Sequence, residues 1–200
     1  INFAKALQMS LYFYDANKCG SGITGGNLEW RGDCHTEDAA VPLKPMGEDY
    51  KGTNLSQKFI DAHRDILDPD GDGTIDVAGG MHDAGDHVKF CLPGSYAAST
   101  LGWGYYEFRD AYVDSGQQWH IEDILHWFND YYLKCTYFDE NGDILAFCYQ
   151  VGEGNIDHNY WNAPELQNES LLDFARPAYF ATVETPASDM CAGVAASLAV

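Results

Sequence analysis

Basic residues are scarce in this chain: 11 Lys and Arg stand against 31 Asp and Glu, a formal net charge of -20 over 200 residues. Such a surface repels phosphate backbones and anionic bilayers, which argues against a nucleic-acid or lipid partner and suits a neutral ligand. No run of about 18 apolar residues occurs, so the sequence offers no membrane-spanning helix. A secretory leader pattern is missing too; Ile1-Asn2-Phe3-Ala4-Lys5 reads as the start of a mature helix, any leader having been removed or left out. The six cysteines, at 19, 34, 91, 135, 148 and 191, are too few and too scattered for a small disulfide scaffold. Neither an internal repeat nor a low-complexity tract is evident. What is there is 46% hydrophobic and 14% aromatic, enough for a substantial core in one domain or part of a larger one.

Helical spacing recurs along the chain. Phe3, Leu7, Leu11 and Tyr14 predict a helix over 2–17, and Leu55, Phe59, Ala62 and Ile66 a second over 54–67. Residues 95–112 and 120–134 are two more amphipathic candidates, with the Trp103/Tyr105/Tyr106/Phe108 cluster expected in the core. Ser188-Asp189 can cap a helix running to the end of the sequence. Residues 18–53, rich in Gly, Asp and Pro, predict a long irregular segment, uncommon unless something pins it. One hairpin stands out: "CTYFDENGDILAFC" centres on Asn141-Gly142, a dipeptide favoured in two-residue turns. In that register Cys135 faces Cys148 at a non-hydrogen-bonded pair, leaving a disulfide and two unbonded thiols as alternatives. The expectation is an all-α architecture with small β excursions. Cys91 and Cys191 are expected to pack as small apolar residues. Asn54-Leu55-Ser56 and Asn168-Glu169-Ser170 match the glycosylation sequon.

Two acidic constellations carry chemistry. Asp83 and Asp86, separated by Ala-Gly, form either a solvated turn or a pair of carboxylates aimed at one point, whose proximity drives their pKa values apart. "DPDGDGTID" puts Asp68, Asp70, Asp72 and Asp76 at positions 1, 3, 5 and 9 of an EF-hand-type loop, with Gly73 at 6. Gly79 stands at position 12, where a bidentate Glu belongs, so calcium and a solvated acidic turn are both open.

The stretch "GGMHDAGDHVKFCLPGSYAASTLGWGYYEF" resembles the signature of glycoside hydrolase family 9, Gly-Gly-aromatic-x-Asp-Ala-Gly-Asp followed by Lys and an aromatic. "FAKALQMSLYFYDANKCG", "LEWRGDCHTED", "YQVGEGNIDHNYWNAPE" and "PASDMCAGVAASLAV" resemble successive segments of that family in the same order. The resemblance implies an (α/α)6 barrel, of which residues 1–200 would be the N-terminal part of a single catalytic domain. Twelve helices of about a dozen residues each, plus loops, need roughly twice this length.

By the same resemblance the activity is inverting hydrolysis of β-1,4-glucosidic bonds in cellulose or a related β-glucan, with Asp86 as general base and Asp83 as the carboxylate that helps hold the attacking water. An inverting pair stands roughly 6.5–9.5 Å apart, so the general acid is another residue, in the family a Glu towards the C-terminus and outside this chain. His158 and Trp161 would line the glucan cleft, with Tyr160 unassigned. Cys19, Cys34, His35 and His82 match the ligands of a structural zinc, although their spacing alone would not indicate one. The implied location is extracellular, secreted or surface-associated, and accessory carbohydrate-binding or docking modules outside this chain are compatible with it. The competing reading is a non-catalytic carbohydrate-binding or metal-stabilised module.

Overall fold

The computed structural model describes residues 2–167 and 175–200; the sequon at 168–170 lies outside them. Helix α1 (Phe3–Asn17) starts where the Asn2 side chain accepts a hydrogen bond from the Lys5 amide, 3.0 Å. The helix expected over 54–67 is two short pieces, α2 (Gln57–Ala62) and α3 (Arg64–Leu67), parted at His63, whose ring packs on Phe59 at 4.7 Å between centroids. Helix α4 (Cys91–Glu107) begins earlier than its periodicity suggests, because Pro93 fits a first turn where no amide donor is needed. After α5 (Arg109–Asp114), α6 (Gln118–Lys134) buries Ile121, Ile124, Phe128, Tyr131 and Tyr132, a stripe at 3.6-residue periodicity. Each of these side chains contributes about 1.5–3 kcal/mol of apolar burial, an upper figure because denatured chains are partly collapsed. Among the described residues the remaining α-helices are short α7 (Gly154–Asp157) and terminal α8 (Ser188–Ala199), and α8 lies along α4. The expected Ser188 cap is absent: the residue at the cap is Ala187, with no side-chain bond.

The β content exceeds a hairpin. Strands β1 (Val41–Pro42) and β2 (Thr74–Ile75) pair with each other. The longest strand, β5 (Ile144–Val151), carries β6 (Ala178–Ala181) on one edge, with β4 (Thr136–Phe138) and β3 (Lys89–Phe90) in succession along the other, all antiparallel. The Asn54 side chain donates to the Phe180 carbonyl at 3.0 Å and accepts from the Phe180 amide at 2.6 Å, so this sequon asparagine is committed to β6. The hairpin turn is also not the expected one. The Asp139 amide donates to the Asp143 carbonyl at 2.9 Å, and the Asp139 carboxylate takes the Asn141 and Asp143 amides. A bulge after Tyr137 then restores the predicted partners but reverses the hydrogen-bonding parity, so Cys148 donates to the Cys135 carbonyl at 3.0 Å. The two cysteines face each other as expected, at a hydrogen-bonded pair, with both thiols free.

The core lies between α4, α6, α8 and the sheet, from Leu11 through Ile124, Phe128 and Val151 to Phe180 and Val194. Trp103 and Tyr106 on α4 and Phe108 just after it, expected inside the core, are instead exposed, as are Leu92 and Tyr96 on α4, and Cys191 is exposed on α8.

Candidate active site and adjoining metal-type cluster

The turn from Gly79 to Phe90 is pinned from below. Trp127 donates from Nε1 to the Gly80 carbonyl at 2.8 Å, and Tyr131 fills the space a Cβ on Gly80 would need, 2.7 Å from the ring. With φ at +78°, only glycine fits there without strain. The Asp83 amide donates to the Val88 carbonyl at 2.9 Å, closing a tight loop that presents Asp83 outward. Asp86 is buried, and one of its oxygens, Oδ2, lies 2.8 Å from His158 Nδ1. His158 follows α7, which is capped by the Glu153 side chain on the Ile156 amide. The Trp161 ring meets the His158 ring edge-on at 5.2 Å and lies against Gly85, where a Cβ would approach it to 2.5 Å. Glycine between the two aspartates is thus what lets an indole lie on the turn. Trp161 is 65% exposed, so this ring is a surface platform rather than core. The resemblance-derived set of Asp83, Asp86, His158 and Trp161 is therefore brought together. Tyr160 packs instead against His87 at 5.6 Å.

Burial first, and then the Asp86 charge, push the Asp83 carboxyl above the ordinary range, with His158 opposing. A 370 Å³ cavity nearby, lined by Ser21, Gly79, Asp123, Trp127 and Lys134, includes neither aspartate. Of the acidic pair, Asp83 is exposed and Asp86 lies buried behind it.

Beneath the turn, Cys19, Cys34, His35 and His82 converge, all buried, each offering a ligand atom within 4.8 Å of the others. Three backbone segments assemble them. The Cys19 amide donates to the Gly80 carbonyl at 2.9 Å, Gly20 and Cys34 exchange two bonds of 3.0 Å, and the His82 amide reaches the Asn17 carbonyl at 2.8 Å. His35 takes φ +49°, costly for a residue with a Cβ and typical of constrained sites. Tetrahedral zinc with thiolate and imidazole ligands sets neighbouring donors roughly 3.3–3.8 Å apart. His82 Nε2 and His35 Nδ1 are 3.2 Å apart, and Cys19 Sγ and His35 Nδ1 3.8 Å. Burial, aided by His35 and His87, holds the His82 imidazolium well below its usual range, leaving the neutral form that binds metals. A hydrogen bond from Cys19 lowers the Cys34 thiol against the opposing effect of burial, with the Arg31 charge assisting. The donor set fits a structural zinc.

A layer whose residues were given no role from sequence lies beside this cluster. Asp38 is fully buried between Lys89 Nζ at 2.9 Å and Arg176 Nε at 2.8 Å, and Arg176 also grips Asp157 at 3.0 Å and the His87 carbonyl at 3.0 Å. Burial would raise the Asp38 carboxyl, but the Arg176 and Lys89 charges outweigh it and hold it well below the usual range. Lys89 further donates to the Val77 and Gly79 carbonyls, at 2.6 and 3.1 Å. Gln167 bridges His87, Asp157 and His35. Arg31 anchors the long segment 18–53 through Glu165 at 2.7 Å.

The acidic loop matches its expected ligand set in part. Asp68, Asp70 and Asp72 converge, but Asp76 does not join them: its carboxylate pairs with Lys134 at 2.6 Å and takes the Ala78 amide at 2.9 Å.

Comparison with known proteins shows what this chain is similar to. The chain is 33% identical over 198 residues to Endoglucanase 4 of Bacillus sp. (strain KSM-522), covering 99% of this chain and 25% of that protein. Its structure superposes on the catalytic domain of Clostridium thermocellum CelT with a TM-score of 0.91 at 53% identity, over all of this chain and 38% of the other. The cellulase Cel9M of C. cellulolyticum in complex with cellobiose gives a TM-score of 0.69 at 35% identity, over 99% of this chain and 37% of that one. The chain thus spans about a quarter of the first curated relative and well under half of the solved domains. Because the family model described as Glycosyl hydrolase family 9 matches residues 3–200, with the paired aspartates inside the matched span, the chain belongs to that family.

Proposed function

We propose that this chain forms part of an enzyme that hydrolyses β-1,4-glucosidic bonds in cellulose or a related β-glucan with inversion. The carrying observation is the Asp86–His158 contact of 2.8 Å beside a raised Asp83 and under an exposed Trp161. Asp86 serves as general base: His158 occupies one oxygen and fixes the carboxylate's orientation, and the other is left to take a proton from water. Asp83 holds that water. Trp161 offers the flat apolar face that a pyranose ring can cover. The base-side pair cannot also protonate the leaving oxygen, which inversion requires from the opposite face, so the acid comes from another part of the complete protein. A substrate of this class also agrees with the cellobiose bound by the Cel9M relative.

The wider reading follows from the same family membership. The chain supplies part of an (α/α)6 barrel, and the exposed Trp103 and Tyr106 of α4, with Phe108 just after it, are packing surface for the remainder. Zinc held by Cys19, Cys34, His35 and His82 serves as a structural ion, tying residues 18–35 to the turn that aims Asp86. Action is extracellular, where insoluble glucan is met.

In the complete protein, Asp86→Ala should lower kcat by about 10²–10⁴-fold, the usual contribution of a general base, with cello-oligosaccharide affinity retained. Proton NMR of the wild-type reaction should show the α-anomer released first. Near-normal turnover by Asp86→Ala would remove the base assignment; a β-anomer product would remove inversion.

A further inference from the structure

The unresolved member of the molecule's charge arrangement is the loop between α3 and β2. Asp68, at the end of α3, is 5% exposed, yet its Oδ1 has no hydrogen-bond partner among the described residues. Its Oδ2 accepts from the Gly73 amide at 3.1 Å and lies 3.5 Å from one Arg64 nitrogen, itself half exposed. A buried carboxylate oxygen left without a donor costs several kcal/mol unless something positive meets it. Beside this carboxylate lies more negative charge: Asp70 and Asp72 each bring an oxygen within 4.8 Å of one of its oxygens. Like charges gathered this closely, in a protein at -20, oppose folding unless a cation joins them.

We propose that Asp68, Asp70 and Asp72 form a calcium site. All three ligands are hard oxygens, which favour Ca²⁺ or Mg²⁺ over zinc. Of the two, calcium accepts the irregular, water-completed coordination that a partly open loop offers, whereas magnesium demands near-ideal octahedral geometry. The residues sit at positions 1, 3 and 5 of a loop whose position 6, Gly73, takes φ +85°, and whose next residues, Thr74 and Ile75, form β2. Position 7, Thr74, is where such loops contribute a backbone carbonyl. Asp76 at position 9 is committed to Lys134, and position 12 is Gly79, so two usual ligands are missing. Affinity should therefore fall in the weak, extracellular range, with Kd about 10⁻⁴–10⁻³ M. The site would brace the entry to the Gly79–Phe90 turn, which starts four residues beyond the end of β2. It does not rest on the hydrolase reading and survives that reading's failure.

The test uses the complete protein, zinc-loaded and freed of calcium on a chelating resin, titrated with CaCl₂ to about 10 mM, well above the expected Kd. Calcium equivalents come from calorimetry and stability from the melting temperature. The comparison variant is Asp70→Asn/Asp72→Asn, at two exposed positions where folding is not at stake. Wild type should bind one calcium equivalent more than the variant, and calcium should raise its Tm further. Without calcium the variant should melt at or above wild type, because it relieves repulsion; a purely structural role for these side chains would lower it. Equal calcium equivalents in the two proteins would overturn the site, as would an equal calcium-induced Tm shift. If Mg²⁺ matches Ca²⁺ at equal concentration, the assignment of calcium fails.

Discussion

Asp38 and Asp83 stand on opposite sides of one turn, and their carboxyls are driven in opposite directions. Asp38, sealed between Arg176 and Lys89, is held well below the usual range despite complete burial. Asp83, facing out, meets partial burial and the Asp86 charge, and is raised. The inner side is a neutralised, buried lattice; the outer side keeps an excess of negative charge and exposes Asp83. A framework built from the first kind of carboxylate can hold the second kind in a position it would not adopt alone. Turn residues follow this division: His82, His87 and Lys89 point in, Asp83 and Gly85 out.

The comparison can be broken most completely from the inner side. Cys34→Ser should abolish a bound zinc equivalent, measured by metal analysis of the purified complete protein. Apparent zinc binding reaches about 10–16 kcal/mol in small zinc peptides, so the Tm should fall by the largest margin of any change named here. Turnover should suffer only through loss of folded protein. A variant that keeps its zinc, or a wild type that never held any, would refute the site. Next in size is Asp38→Ala. It leaves Lys89 and Arg176 buried with less than their full counter-charge, a situation that costs about 3–5 kcal/mol. Denaturant unfolding should show that loss; a change under 1 kcal/mol, the scale of a surface pair, would mean the lattice is not what fixes the turn.

The two sides differed as sharply in how readable they were. Asp83, Asp86 and His82 share one short motif, and Cys34 and His35 are adjacent, so likeness of sequence brought them forward. Asp38 and Arg176 are 138 residues apart, and neither sits in a pattern whose spacing implies the other. A buried ion pair of that kind leaves no periodic trace. Helix α6 was legible because its apolar stripe repeats over 17 residues. The hairpin's parity was not, since the Asp139 side chain captures two amides and replaces the expected turn. Apolar residues on α4 misled for another reason: periodicity marks surface to be buried without saying by what.

Acid should separate the two carboxylates, with a smaller effect. Asp38 is depressed, so its contribution to stability is fully present above the unfolded value of about 3.9 and is lost only as pH falls through the lower folded value. Asp83 is raised, so it takes up a proton while Asp38 is still ionised. Lowering the pH should therefore silence hydrolysis before it unfolds the protein. The acid limb of kcat/KM should carry an apparent pKa above that of an ordinary carboxylate, and circular dichroism should remain native across it. Activity should return on neutralisation. Coincident loss of activity and of ellipticity would show that the limb reports unfolding instead.

The smallest expected effect tests whether the outer side is a sugar platform at all. Trp161 lies on Gly85 and against His158, with most of its surface free. Contacts with an aromatic face contribute about 0.5–1.5 kcal/mol beyond area burial, so Trp161→Ala should raise KM for cello-oligosaccharides by a few-fold to about tenfold. Because the indole also steadies His158, kcat can fall in the alanine variant for a second reason. Trp161→Phe separates the two, since a smaller ring keeps an apolar face over Gly85. If the platform carries binding, KM should recover most of its loss in the phenylalanine variant. If Trp161 acts only by holding His158, both variants should change kcat and leave KM alone, and the Asp86–His158 contact, with no stacked sugar, would be all that remains of the proposed cleft on this side of the turn.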